Sequence, residues 1–252
     1  MVFAIQNKKE IAIGYQKNPD KINLKNRQMN KYFKWLIWLV ALVPGVYLAV
    51  TWKSLPDQVA MHFDLHGNPD RYGNKTELLL IVGLLCLMTA GLYFLLSNIY
   101  KIDPKRYAAE NKDRLQRMGF AVGVFMSALC CFIIYSTIKG SIEFGMRYIL
   151  AGVGLLFSFI GNYMHNMKPN YFAGLRLPWT LNNEENWRKT HLLGGKLWFA
   201  GGLLIAILCL LLPDTISLIT FFTLTMILVI IPVVYSYRLY RNNKDAENKG
   251  PA

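Results

Sequence analysis

Residues 78–100, LLLIVGLLCLMTAGLYFLLSNIY, run for 23 positions without an Asp, Glu, Lys or Arg. A bilayer core is about 30 Å thick and a helix rises about 1.5 Å per residue, so roughly 20 apolar residues cross it. The stretch therefore predicts a membrane-spanning helix. Five more charge-free runs lie on either side, at 35–52 (18 residues), 118–138 (21), 148–167 (20), 197–213 (17) and 215–237 (23). Only helices and closed barrels satisfy their backbone polar groups inside lipid. The expected fold class is an all-α integral membrane protein with six transmembrane helices. A composition of 54% apolar and 17% charged residues in 252 agrees, being too apolar for an ordinary soluble domain.

A net charge of +13 suggests nucleic acid until its distribution is considered. Lys and Arg of alternate segments total 23 on one side of the expected spans and 5 on the other. By the positive-inside rule both termini lie in the cytoplasm, and no nucleic-acid partner is implied. The basic inner segments also favour anionic lipid heads, by about 1 kcal/mol per Lys or Arg near the surface. Cys86, Cys130, Cys131 and Cys209 all fall within the apolar runs, so no disulfide framework is expected. No cleavable signal peptide is expected, and Met29, opening MNKYFKWLIWL, has the look of a natural start.

Two polar segments carry the informative residues. The first, LPDQVAMHFDLHGNPDRYGNK at 55–75, faces outward in this topology. Alternation over 59–65 predicts a short strand, and Gly67-Asn68-Pro69-Asp70 a turn. His62, Asp64 and His66 alternate and would share one face of that strand, with Asp70 able to complete a ligand set for zinc or a similar ion. Against metal stands the weakness of a two-histidine set without cysteine. The competing reading has these residues solvated and holding a turn, and no metal is assigned.

The second segment is GLRLPWTLNNEENWRKTHLLGG at 174–195. Asn182 and Glu185 have capping-box spacing, so a helix is expected to start there and run through Lys196 into the fifth span. Trp187, His191 and Gly194 then share a face that excludes Arg188 and Lys189. The simplest expectation is an interfacial helix with its Trp among the lipid headgroups. A partner-docking surface is the sharper alternative.

Smaller signals complete the chain. Pro44-Gly45 predicts a kink in the first span, with Trp35 and Trp38 at its inner end and Trp52 at its outer end. In 101–117, Asp103 and Pro104 predict a helix start, with Glu110 and Arg114 paired along an inner-surface helix. The third and fourth spans are expected to form an antiparallel hairpin, and Gly152, Gly154 and Gly161 to admit a neighbouring helix closely. Asn162, His165 and Asn166 are placed at the interface. The span centres carry no acid or base, which counts against an ion-coupled pump. There is no phosphate-binding loop, catalytic triad or metalloprotease motif, so no enzyme activity, catalytic residue or cofactor is expected.

Gly174, Arg176, Pro178, Trp179, Thr180, Glu184, Trp187, Thr190, His191, Gly194 and Gly195 resemble the signature of the SdpI family, six-span bacterial membrane proteins. Pro56, His62, Gly67, Pro69, Asp70 and Lys75 are similar to a small outer-loop domain that accompanies it, with Asp64 in the same loop. The resemblance covers about 32–237. It implies an immunity and signal-transduction protein of the plasma membrane, conferring resistance to a secreted, membrane-active peptide toxin and holding a small cytosolic repressor at the membrane. The corresponding organisation is a flexible cytoplasmic tail (1–31), two spans with an extracellular loop at 53–77 (32–100) and a basic cytoplasmic loop (101–117). A four-span region (118–237) with its signature loop at 168–196 and a cytoplasmic tail (238–252) follow. A small-solute or lipid transporter and a metal-binding membrane protein are the alternatives. The oligomeric state is left open.

Overall fold

The computed structural model describes residues 19–64, 67–105, 108–142 and 145–248. Helix α1 (Pro19–Thr51) leads through a short 3-10 turn at Trp52–Ser54 into a hairpin of β1 (Gln58–Phe63) and β2 (Pro69–Asn74). The remaining elements are α2 (Lys75–Asn98), 3-10 turns at Ile99–Lys101 and Ala108–Asn111, α3 (Lys112–Lys139), α4 (Met146–Met164), α5 (Pro178–Asn182), α6 (Glu184–Leu211) and α7 (Asp214–Asn248). The protein is an all-α membrane protein, with one two-stranded sheet among the described residues. Among the described residues, five helical stretches are long and apolar enough to cross a bilayer: Lys34–Ser54, Lys75–Lys101, Ala109–Lys139, Glu184–Leu211 and Asp214–Lys244. The remaining apolar run forms the 19-residue α4, which carries Arg147 near its start and Asn162 near its end.

Local chemistry sets several boundaries. Asn74 caps α2 by accepting from Thr76 N at 3.0 Å, and Glu77 reaches back to Asn74 N at 3.4 Å. Gly140, at φ +71°, ends α3 in the left-handed conformation. Three expectations need correction. Most of the tail 1–31 lies outside the described residues, but from Pro19 the chain is already helical. The second loop starts no helix at Asp103. Its carboxylate instead accepts from Lys105 N (2.9 Å) and from Tyr171 N (3.1 Å) of the signature loop, so α3 begins only at Lys112. Arg114 there donates to the backbone oxygen of Glu110 (2.9 Å), while the Glu110 carboxylate lies 3.8 Å from Lys168 Nζ.

The helices form two three-helix bundles. In the first, α1, α2, α3 and the hairpin enclose Leu48, Leu55, Val59, Leu78, Val82, Cys130 and Ile134. In the second, α4, α6 and α7 enclose Leu150, Ala151, Ile205, Ala206, Cys209 and Leu228. Ile99, Leu115, Met167 and Trp187 join the two at one end.

The second bundle is built around its α4–α6 seam, the most extensive helix pairing in the fold. Gly154 and Gly161 of α4 meet Gly202 and Gly195 of α6, seven residues apart on each helix, so one face stays aligned for two turns. A Cβ on Gly195 would stand 2.7 Å from His165 N, and one on Gly154 2.8 Å from Ala206 N, so the backbones touch. Gly152 faces Phe125 of α3 instead.

Connections alternate between two ends. At the hairpin end, Thr137 donates to Ala60 O (3.1 Å), Ile142 N to Gly67 O (2.9 Å) and Arg147 N to Asp214 (3.0 Å). At the other end, Asp103 and Asn111 reach the segment 168–171, and Trp179 and Asn186 reach Ser236 of α7.

Candidate functional site

The signature loop is folded around buried polar side chains. Asn170, 1% exposed, accepts from Phe172 N (3.0 Å) and Ala173 N (2.7 Å) and donates to Lys168 O (3.0 Å). Asn111, fully buried at the start of α3, brackets Lys168 from the other side: its amide oxygen accepts from Lys168 N and its amide nitrogen donates to Lys168 O, both at 2.9 Å. Each amide replaces a strand or helix partner for backbone that has none, which is what burial of a loop requires.

Gly174 then turns the chain at φ +98°, and a Cβ there would collide with the His191 ring. Leu175 N donates to His191 Nε2 (3.0 Å), so that nitrogen carries a lone pair. His191 Nδ1 lies 2.9 Å from Trp187 O and therefore holds the proton. The imidazole is neutral and serves as a clamp between loop and helix. Trp187 stacks on it with ring centroids 3.9 Å apart and donates from Nε1 to Met167 O (2.7 Å).

Thr180 and Thr190 are both fully buried. Thr180 bonds Leu175 O (2.7 Å) and accepts from Leu177 N (3.0 Å), closing the turn in which Pro178 opens α5. Thr190 donates to Asn186 Oδ1 (2.9 Å), and Asn186 donates to Ser236 O of α7 (2.9 Å). Trp179 reaches Ser236 Oγ (3.0 Å) and packs against Tyr237 and Tyr240. Arg176 is exposed and donates to Tyr171 O (2.9 Å), and Glu184 is exposed on the first turn of α6. Gly194 faces Met164 and Leu175, and Gly195 sits in the α4–α6 seam.

The shared face of Trp187, His191 and Gly194 is therefore real, but it looks into the protein. Trp187 is 1% exposed, not interfacial, because its N–H finds a backbone acceptor inside and its ring a partner in His191. The helix cap is Asn183, accepting from Asn186 N (2.8 Å), one residue later than the sequence predicts. Outside this hub, Pro178, Trp179, Asn182, Asn183, Asn186, Tyr237, Tyr240, Asn243 and Lys244 line a cleft of about 540 Å³. Its aromatic faces and amides suit a peptide surface, which offers both apolar side chains and backbone donors and acceptors.

The hairpin has a different character. β1 ends at Phe63, and a bulge between Ala60 and His62 breaks its alternation, so His62 and Asp64 do not share a strand face. His62 Nδ1 lies 2.5 Å from Asp70, whereas Asp64 accepts from Asn68 N (2.8 Å) and holds the turn with Gly67 (φ +83°). His66 lies outside the described residues. Among the described residues no three His, Cys, Asp or Glu stand close enough to hold a metal ion. Lys75 bonds Asp57 at 2.6 Å and lies 5.6 Å from the Trp52 ring centre. The hydrogen bond and charge of Lys75 hold the Asp57 carboxyl below the usual carboxylate range.

Asn111, Asn170 and Ser236 were not singled out by sequence, and Asp103 was singled out only as a helix start. Only Asn170 carries a local signal, an asparagine able to form a side-chain turn shortly before a glycine.

Long apolar helices arranged in two bundles make this a multi-pass protein of the cell membrane. Residues 166–236 match the SdpI/YfhL protein family, and residues 39–87 match a domain of unknown function, DUF1648. The SdpI/YfhL match falls on the segment that contains most of the buried hub. It is 32% identical over 90 residues to the Immunity protein SdpI of Bacillus subtilis, covering 36% of this chain and 43% of that protein. An uncharacterized protein of Archaeoglobus fulgidus is 29% identical over 124 residues, 46% of this chain and 62% of the relative. The matched stretches thus span less than two thirds of either relative. No solved structure matches.

Proposed function

We propose that this chain is an immunity and signal-transduction protein that spans the membrane six times, with both termini in the cytoplasm. In this reading it protects its host cell from a secreted, membrane-active peptide toxin. The observation that carries the proposal is the 32% identity to an immunity protein, together with the family match over residues 166–236, which hold most of the hub. Alternation of the connections between two ends, with the basic segments collected at the hub end, supports six crossings and an inward-facing hub. Segments 101–117, 168–196 and 238–252 are then cytoplasmic and 53–77 extracellular.

The toxin meets the hairpin of His62, Asp64, Gly67, Asp70 and Lys75. A small repressor docks at the signature loop, in the cleft beside Trp179 and Tyr240. Toxin binding transmits a signal by favouring one packing of the bundles over another.

Expression in toxin-sensitive cells tests the central claim: survival should rise with the intact chain, and a Tyr240→Ala, Lys244→Glu variant should keep that protection while losing the repressor at the membrane. Unchanged killing would sink the immunity reading. Thiol labelling of Asn68→Cys and Asn183→Cys in intact cells tests the topology, with only the former expected to react.

A further inference from the structure

At the hub end of the first bundle, a pocket of about 260 Å³ opens between α1, α2 and α3. It is separate from the signature loop and none of the family features account for it. Lys34, Lys101 and Lys112 bring three ammonium groups to it, and no carboxylate lines it among the described residues. Asn98 holds Lys101 Nζ at 2.8 Å, and Lys112 lies 5.0 Å from the Tyr100 ring centre, so two of the three cations are positioned rather than free-swinging.

Deeper in the pocket, Tyr93 and Ser97 are 4% and 8% exposed. Neither hydroxyl oxygen has a hydrogen-bond partner among the described residues. They sit one helical turn apart, and even paired with each other they would leave one O–H free to donate. Buried polar groups of this kind ordinarily have a partner. Gln116, 4% exposed, adds an amide to the same wall.

Cations at the mouth with donors inside fit an anion that has several acceptor oxygens. The end of α2 presents a partial negative charge of about half a unit, which three lysines outweigh. Trp38 and Phe94 line the rim and are 46% and 62% exposed, so the pocket opens beside the apolar surface that meets lipid. We infer that this pocket binds the phosphate of an anionic phospholipid, with the lysines and the Tyr93 and Ser97 hydroxyls on its oxygens and the acyl chains along Trp38 and Phe94. Charge-assisted bonds from lysine and hydroxyl to phosphate are the strong kind, and the low-dielectric setting raises their weight.

The test uses the full-length protein in detergent, with native mass spectrometry counting bound lipid as phosphatidylglycerol or phosphatidylcholine is titrated. One phosphatidylglycerol should bind saturably while phosphatidylcholine, whose choline the lysines repel, does not. Lys34→Gln, Lys101→Gln, Lys112→Gln should weaken it about a hundredfold. Tyr93→Phe with Ser97→Ala, which removes only two oxygens and keeps the packing, should weaken it about tenfold. Lys196→Gln with Lys244→Gln, at the same end but outside the pocket, should leave it unchanged. Equal phosphatidylglycerol binding by the parent and the hydroxyl variant, or equal losses in the two lysine variants, would overturn the site. Displacement of the lipid by millimolar inorganic phosphate would overturn the lipid assignment in favour of a soluble phosphate.

Discussion

Two of the polar segments between the apolar helices use similar residues in opposite ways. In the hairpin, His62 and Asp70 form a pair whose side chains are 68% and 47% exposed. In the signature loop, His191 is fully buried, neutral and bonded through both ring nitrogens. Water can replace any partner the hairpin loses. Nothing can replace a partner lost in the hub, because a buried donor or acceptor left alone carries its whole desolvation cost. The loop is the rigid element of the fold and the hairpin the adaptable one.

That contrast can be broken in graded steps. Gly195→Leu should have the largest effect, because its side chain would have to occupy the backbone of α4; little folded protein should accumulate in membranes. Trp187→Ala removes a buried ring and orphans Met167 O, for about 3–5 kcal/mol. Heat unfolding in detergent, followed with a thiol-reactive dye that reports exposure of Cys130 and Cys209, measures it. Asn111→Ala removes the side-chain acceptor of Lys168 N and one of the two amide donors to Lys168 O, and should cost about 1–3 kcal/mol by the same assay. His62→Ala should change stability by less than about 1 kcal/mol, the range for exposed pairs. If it matches Asn111→Ala, the division into rigid and adaptable segments fails.

Smallest is the acid response of Asp57. Its folded-state pKa is depressed, so the stability contributed by Lys75 is present above the ordinary value of 3.8 and is lost as pH falls through the lower folded value. The unfolding midpoints of the parent and Asp57→Asn should therefore differ at pH 6 and converge in strong acid.

Helix positions and the hairpin were legible because their signals are local: charge-free runs and a turn at Gly67. Gly154 and Gly161 were legible as a close-approach surface for the same reason. The orientation of Trp187 and His191 was not. Helical spacing says which residues share a face but not whether that face meets lipid, water or protein. The role of Asp103 was misread because its acceptor capacity was assigned to the nearest helix start, whereas Tyr171, 68 residues away, takes one of its oxygens. Asn111 poses the same problem, since an amide that braces a distant loop looks in sequence like any solvated asparagine.

The α4–α6 seam also restricts what the membrane domain can conduct. Where two backbones touch along glycine, no side chain lines a gap and no file of water fits between them. A permeation route along that line is closed, and any rearrangement that carries a message from one face to the other must move this helix pair as a single strut against its neighbours.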